Sequence, residues 1–175
     1  MLGLQKDAIK LVPHEDVWAE NYQKEKEILQ QILGDLTIDI QHIGSTAIPN
    51  IVAKPILDVG VGVKDIDAMR AVIPLLEKAG YDVADKIEEK GEVLGRRGSA
   101  QIRTCLIHIE VYGNINWENH IIFRDYLLAH PEAAKEYEQL KLANAKIYAG
   151  DRKGYVAAKT EFVRNIVEKV KSGNV

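Results

Sequence analysis

The stretch His42-Ile43-Gly44-Ser45-Thr46-Ala47-Ile48-Pro49-Asn50-Ile51-Val52-Ala53-Lys54-Pro55-Ile56-Leu57-Asp58-Val59 decides how the chain folds. Ahead of the turn, Thr37 to Ile43 sets Ile38 and Ile40 against Asp39 and Gln41, the alternation of a half-buried strand that stops at Gly44-Ser45. Beyond the Pro- and Asn-bearing connection, Pro55 to Val63 reads as a second strand. Period-two geometry puts Asp58, Gly60 and Gly62 on one face of it, opposite Leu57, Val59, Val61 and Val63. The Asp58 face is therefore stripped of bulk, which leaves room beside the carboxylate. At the turn, Gly44 allows close backbone approach to an anion. Ser45 and Thr46 offer hydroxyls and the expected start of a helix whose free N–H groups favour phosphate. Asp58 can then hold a Mg2+ bridging those phosphates.

Working outward, Trp18, Tyr22, Leu29, Ile32 and Leu33 recur at helical spacing over Val17 to Leu33, and Gly34 supplies the stop. Asp65 to Ala79 predicts a second helix, with Ile66, Met69, Ile73 and Leu76 on one face and Gly80 ending it. Tyr81 to Ala84 reads as a short strand and Lys86 to Lys90 as a charged turn. Glu92 to Ser99, with Arg96 and Arg97, reads as a mobile hairpin tip. Arg103 to Tyr112 is the longest strand candidate. The remainder is helical, with breaks at His130-Pro131 and Gly150-Asp151. The expected fold class is α/β (α+β): a mixed sheet packed with helices and a helical C-terminal third. No linker or repeat divides residues 1–175, so a single domain is expected.

Composition fits that expectation. Of 175 residues, 46% are hydrophobic and 28% charged, near the globular average, and the length suffices for a real core. A formal charge of -3 and a pI of about 6.0 argue against a protein that grips duplex nucleic acid by neutralising phosphates. The single cysteine, Cys105, has no partner for an intrachain disulfide and reads as a small core residue. No segment reaches the roughly 20 apolar residues of a membrane span, so a cytoplasmic protein is expected. No motif sets an oligomeric state.

The Gly-Ser turn and downstream Asp resemble those of polymerase-beta-like nucleotidyltransferases, and the wording around them is similar to the GrpB family. The likeness runs through Val12-Pro13-His14-Glu15-Asp16-Val17-Trp18 with Glu25, His42 to Ala47, Ala53 to Asp58 and Leu106-Ile107-His108. It continues in Phe123-Arg124-Asp125-Tyr126-Leu127 with His130-Pro131, then Tyr137 with Leu140-Lys141, and Tyr155 with Lys159 and Phe162. The resemblance implies a nucleotidyltransferase-like sheet, but the family is described by fold and not by a demonstrated reaction. Some bacterial members are fused to dephospho-CoA kinase, an association with nucleotide or coenzyme A metabolism. Active nucleotidyltransferases carry a second acidic residue two positions after the first, and here that position is Gly60. Two-metal phosphoryl transfer needs several carboxylates, so Asp58 alone implies weak binding of a single Mg2+. Glu110, on one strand face with His108 and Tyr112, stands as a replacement carboxylate or as a solvated or paired one.

For the remaining candidates a functional and a structural reading stand side by side. His42 and His108 are potential general bases near the phosphates, or hydrogen-bonded core histidines. Lys54 reaches a phosphate, or is a solvated lysine. Arg124 binds phosphate, or forms a structural ion pair; Asp125, adjacent on a helix, is not expected to be its partner. Lys141 and Lys159 flank the Tyr137, Leu140, Tyr155, Phe162 and Ile166 stripe, read as core. Arg96, Arg97 and Arg103 form a basic patch, read as a flexible flap over an anionic ligand. Two functions follow. One is a protein that binds a nucleoside triphosphate or another phosphorylated small molecule, extending to nucleotidyl or phosphoryl transfer with a reduced metal site. The alternative is a non-catalytic ligand-sensing or interaction module.

Overall fold

The computed structural model describes residues 2–5, 8–99 and 101–173. Its strands are β1 (Leu4–Gln5), β2 (Thr37–Ile43), β3 (Leu57–Val63), β4 (Asp82–Lys86), β5 (Glu92–Gly98) and β6 (Ile102–Val111). The helices are α1 (Val17–Leu33), α2 (Ile66–Lys78), α3 (Ile87–Lys90), α4 (Ile115–Ala129), α5 (Pro131–Ile147) and α6 (Arg152–Lys171). They build a mixed sheet of order β2-β3-β6-β5-β4, with β1 paired to the start of β6. Among the described residues only β3 and β6 run parallel, and the segment from α2 to β5 supplies the long crossover that a parallel pair requires.

Local chemistry explains the helix starts. The side chains of Asp65, Asn114 and Asp151 accept hydrogen bonds from Ala68, Trp117 and Gly154, capping α2, α4 and α6, while Pro131 opens α5. Leu57, Val59, Val61 and Val63 meet Ile107, Ile109, Trp18, Leu29, Met69, Val72 and Leu76 in one buried cluster, which fixes α1 and α2 on that face of the sheet. Each such side chain contributes about 1.5–3 kcal/mol when fully buried. Cys105 lies in the same cluster, where burial pushes its thiol pKa up, as expected of a core cysteine. The opposite face is crossed by α4. A second cluster joins Phe123, Tyr126, Leu127, Tyr137, Ile166 and Val167 of the last three helices to Ile48 and Ile51 of the β2–β3 connection. No helix among the described residues is long and apolar enough to cross a membrane.

Three local expectations are corrected. Glu92 to Gly98 is no hairpin tip but a strand paired on both sides, by β4 and β6. Ile38 is 54% exposed, because the β2–β3 register shifts between Thr37 and Asp39 and breaks the alternation. After Gly44 the chain forms only a three-residue 3-10 turn, Ser45–Ala47, so no helix N-terminus faces an anion there.

Candidate functional site

Gly44 is required by Asp58. With φ at 69°, its backbone occupies the left-handed region, and a Cβ there would stand 2.5 Å from the Asp58 Oδ2 atom. The anion that Gly44 admits is thus the chain's own carboxylate. Antiparallel pairing sets Ile43 opposite Asp58, and parallel pairing sets Leu106 beside it and His108 beside Gly60. The bare strip expected on β3 is filled from above. A Cβ at Gly60 would lie 3.3 Å from the Trp117 ring, and one at Gly62 would lie 2.9 Å from Tyr112. The space beyond Asp58 therefore belongs to an indole, not to a ligand.

Asp58 instead borders a cavity of about 150 Å³ lined by Ser45, Thr46, Lys54, Ile56, Arg103, Leu106, Lys141, Arg152, Tyr155, Val156 and Lys159. Cations thus converge from four segments: the β2–β3 connection, β6, α5 and α6. The Lys54 ammonium sits 4.2 Å from the centre of the Tyr155 ring and that of Lys159 4.7 Å from it, so one aromatic ring contacts two like charges. Burial, then Lys159 and Arg152, lower the Lys54 pKa to about 8. Lys141 is 1% exposed and donates to the Val52 carbonyl; burial and Lys159 lower its pKa to about 7. Next to the cavity, and sharing Arg103, Leu106, Arg152 and Val156 with it, is an open groove of about 950 Å³ along β5, β6 and α6.

The histidines part company. His42 stacks on Tyr22 of α1 and shares its register with the core residue Val59, on the face away from Trp117. Its Nε2 lies 2.9 Å from the Thr46 hydroxyl, so Thr46, 2% exposed, spends that group internally. Burial pushes the His42 pKa down to about 4, which makes it a poor base. His108 lies between two carboxylates, its Nε2 3.8 Å from Asp58 and its Nδ1 3.4 Å from Glu92. Burial opposes its charge, but Asp58 and Glu92 outweigh that and raise the pKa to about 9. At neutral pH it is an imidazolium, a charge partner of Asp58 and not a base. Across the strip it is this cation that meets Asp58.

Arg124 is spent elsewhere. Its guanidinium donates to Gln41 Oε1 at 2.7 Å, the His42 carbonyl at 3.0 Å and Asp125 Oδ1 at 2.8 Å. Pairing with Asp125 corrects the expectation that adjacent helical residues stay apart; the long guanidinium folds back along its own helix. It does not border the cavity. Arg97 donates to the buried Glu25, which also accepts from the Tyr81 hydroxyl, and Arg96 meets Asp82 at 3.5 Å. The basic patch is therefore held on paired strands and is not a flap. Glu110 is buried, with His120 3.4 Å away. Sequence reasoning missed Arg152, Glu92 and His120. Only Arg152 left a signal, since Arg152, Tyr155 and Lys159 share one helical face.

Against known proteins, the family model described as GrpB protein matches residues 8–169. The chain belongs to the GrpB family. This GrpB-family chain is 38% identical, over 97% of its length, to the glutamate-rich protein GrpB of Alkalihalophilus pseudofirmus, covering 100% of that protein. It is 36% identical over 95% of its length to UPF0157 protein YqkA of Bacillus subtilis, of which it covers 48%. Its fold is similar to the crystal structure of conserved protein GrpB from Enterococcus faecalis, with a TM-score of 0.82 and 30% identity over 91% of this chain and 96% of that one.

Proposed function

We propose that this chain binds a nucleotide or a related phosphorylated small molecule, phosphates in the Ser45–Asp58 cavity and the rest of the ligand in the adjoining groove. The observation that carries the reading is the convergence of Lys54, Arg103, Lys141, Arg152 and Lys159 on one cavity of about 150 Å³. Burial first, and then the neighbouring cations, lower the pKa values of Lys54 and Lys141 and make their charged forms costly. A bound polyanion offsets that cost. Adenosine di- and triphosphates have the required form: a compact anionic group on a larger, flatter body.

Asp58 fits one Mg2+ that arrives with the ligand phosphates and keeps water in the rest of its shell. A resident metal pair does not fit, because Gly60 lies under Trp117 and no second carboxylate stands there. This favours ligand binding or sensing over two-metal nucleotidyl transfer. Calorimetric titration with ATP and with pyrophosphate, with and without Mg2+, tests the reading. Lys159→Ala and Arg152→Ala are each expected to weaken binding about tenfold or more, the loss of roughly 1.5 kcal/mol or more that a charge-assisted hydrogen bond supplies. Asp58→Asn should remove only the Mg2+-dependent part. Unchanged affinity in both cation variants overturns the assignment.

A further inference from the structure

A second polar constellation lies under α4, beyond the anion cavity. His108 and Glu110 alternate along β6 and project from one sheet face, where α4 delivers His120 about one turn after Trp117. The His120 Nε2 lies 3.4 Å from Glu110 Oε1, and the two imidazole centres are 5.0 Å apart. One ligand atom from each of the three residues lies within 4.8 Å of the other two. Glu110 is 1% exposed, and its Oε2 is buried with no hydrogen-bond partner among the described residues. An unpaired carboxylate oxygen in such surroundings is costly unless a cation meets it.

We propose that His108, Glu110 and His120 form a binding site for a first-row transition-metal dication of the Zn2+ type. Two imidazoles and a carboxylate suit Zn2+ or Fe2+ better than Mg2+ or Ca2+, which take oxygen shells, and the ion displaces to solvent the proton that His108 holds in the metal-free protein. Tetrahedral bonds of about 2.0–2.1 Å set ligand atoms about 3.4 Å apart, which the His120–Glu110 pair already matches. Rotation of the His108 and His120 rings closes the longer separations. Three protein ligands leave a fourth position open, the pattern of sites that admit water or substrate. The outer shell is present too. Whichever nitrogen of His108 binds the ion, the other keeps a carboxylate, Glu92 at Nδ1 or Asp58 at Nε2. The three ligands lie outside the anion cavity, and only Asp58, the partner of His108, touches both sites.

The test uses the full chain stripped with a chelator, titrated with Zn2+ by calorimetry and with Co2+ by visible absorption, and no nucleotide. One equivalent should bind, with the d–d bands of a nitrogen- and oxygen-ligated Co2+. Glu110→Gln, which keeps shape, and His120→Ala, at a partly exposed side chain, should each lower Zn2+ affinity by more than about tenfold, the least that loss of even an outer partner produces. Circular dichroism confirms that both variants fold. Lys159→Ala should leave Zn2+ affinity unchanged, which separates this site from the phosphate cavity. Binding of less than one equivalent, or binding that survives in the His120→Ala/Glu110→Gln double variant, overturns the proposal.

Discussion

Gly44 and Asp58 form a steric unit. In Gly44→Ala the new methyl group meets the Asp58 carboxylate on a backbone already in the left-handed region. A loss of about 2–4 kcal/mol is expected in urea unfolding. Adding Asp58→Gly, which removes both the carboxylate and the Cβ that would stand 2.8 Å from the new methyl group, should recover the steric part and leave the backbone strain of about 1–2 kcal/mol, a non-additivity that identifies the contact. His42 supplies a second prediction, on acid sensitivity. Its folded pKa, near 4, lies below the unfolded value of about 6.5, so the unfolded chain binds the extra proton between those limits. Its contribution is thus present above pH 6.5 and lost as pH falls towards 4. His108, raised to about 9, acts in the opposite sense and in another window: its contribution is present below pH 6.5 and lost as pH rises through 9. Stability measured between pH 6.5 and 5 should fall less steeply in His42→Gln than in the wild type, while above pH 7 the two should run parallel.

At the scale of elements, the bare face of β3 is explained by what crosses it. Seen in sequence alone, Gly60 marks a missing carboxylate, and replacing it should improve a metal site. Packed against α4, it marks the seat of Trp117, 3.3 Å from where its Cβ would stand, with Ile43 3.5 Å away. Gly60→Asp is accordingly expected to destabilise the fold by about 2–4 kcal/mol, through overpacking and a desolvated carboxylate, without raising Mg2+ affinity. Thermal unfolding and calorimetry on the same preparation decide this; an unchanged midpoint with tighter Mg2+ binding would refute it. The caps of α2, α4 and α6 follow ordinary rules, and the limits of α1 (Val17–Leu33) and β2 (Thr37–Ile43) agree with the pattern of apolar residues. β5 disagrees because its charged side chains are accommodated by partners distant in sequence, Glu25 and Asp82.

For the whole molecule, the net charge of -3 conceals a local excess of cations where α5 and α6 close over the start of β3 and β6. Anion binding there should take up protons, because it favours the charged forms of Lys54 and Lys141. Sulfate, whose own charge is constant above neutrality, should bind with undiminished affinity below about pH 7. Its affinity should fall as pH rises through 8. Calorimetry in buffers of different ionisation enthalpy reads the proton uptake directly, and a pH-independent affinity from 6.5 to 9 would contradict it. What the sequence determined by itself is what local periodicity and short-range chemistry control: the strand–turn–strand around Gly44, the helical C-terminal third and the buried Cys105. Tertiary structure alone decided which charged groups meet. Lys54, Arg103, Lys141, Arg152 and Lys159 span more than half of the chain and converge because β3 pairs with β6 and α6 folds back across their ends. His120 reaches Glu110 only because α4 crosses the sheet. Side-chain periodicity carries the direction of a residue from its own element, but not the identity of the residue waiting there.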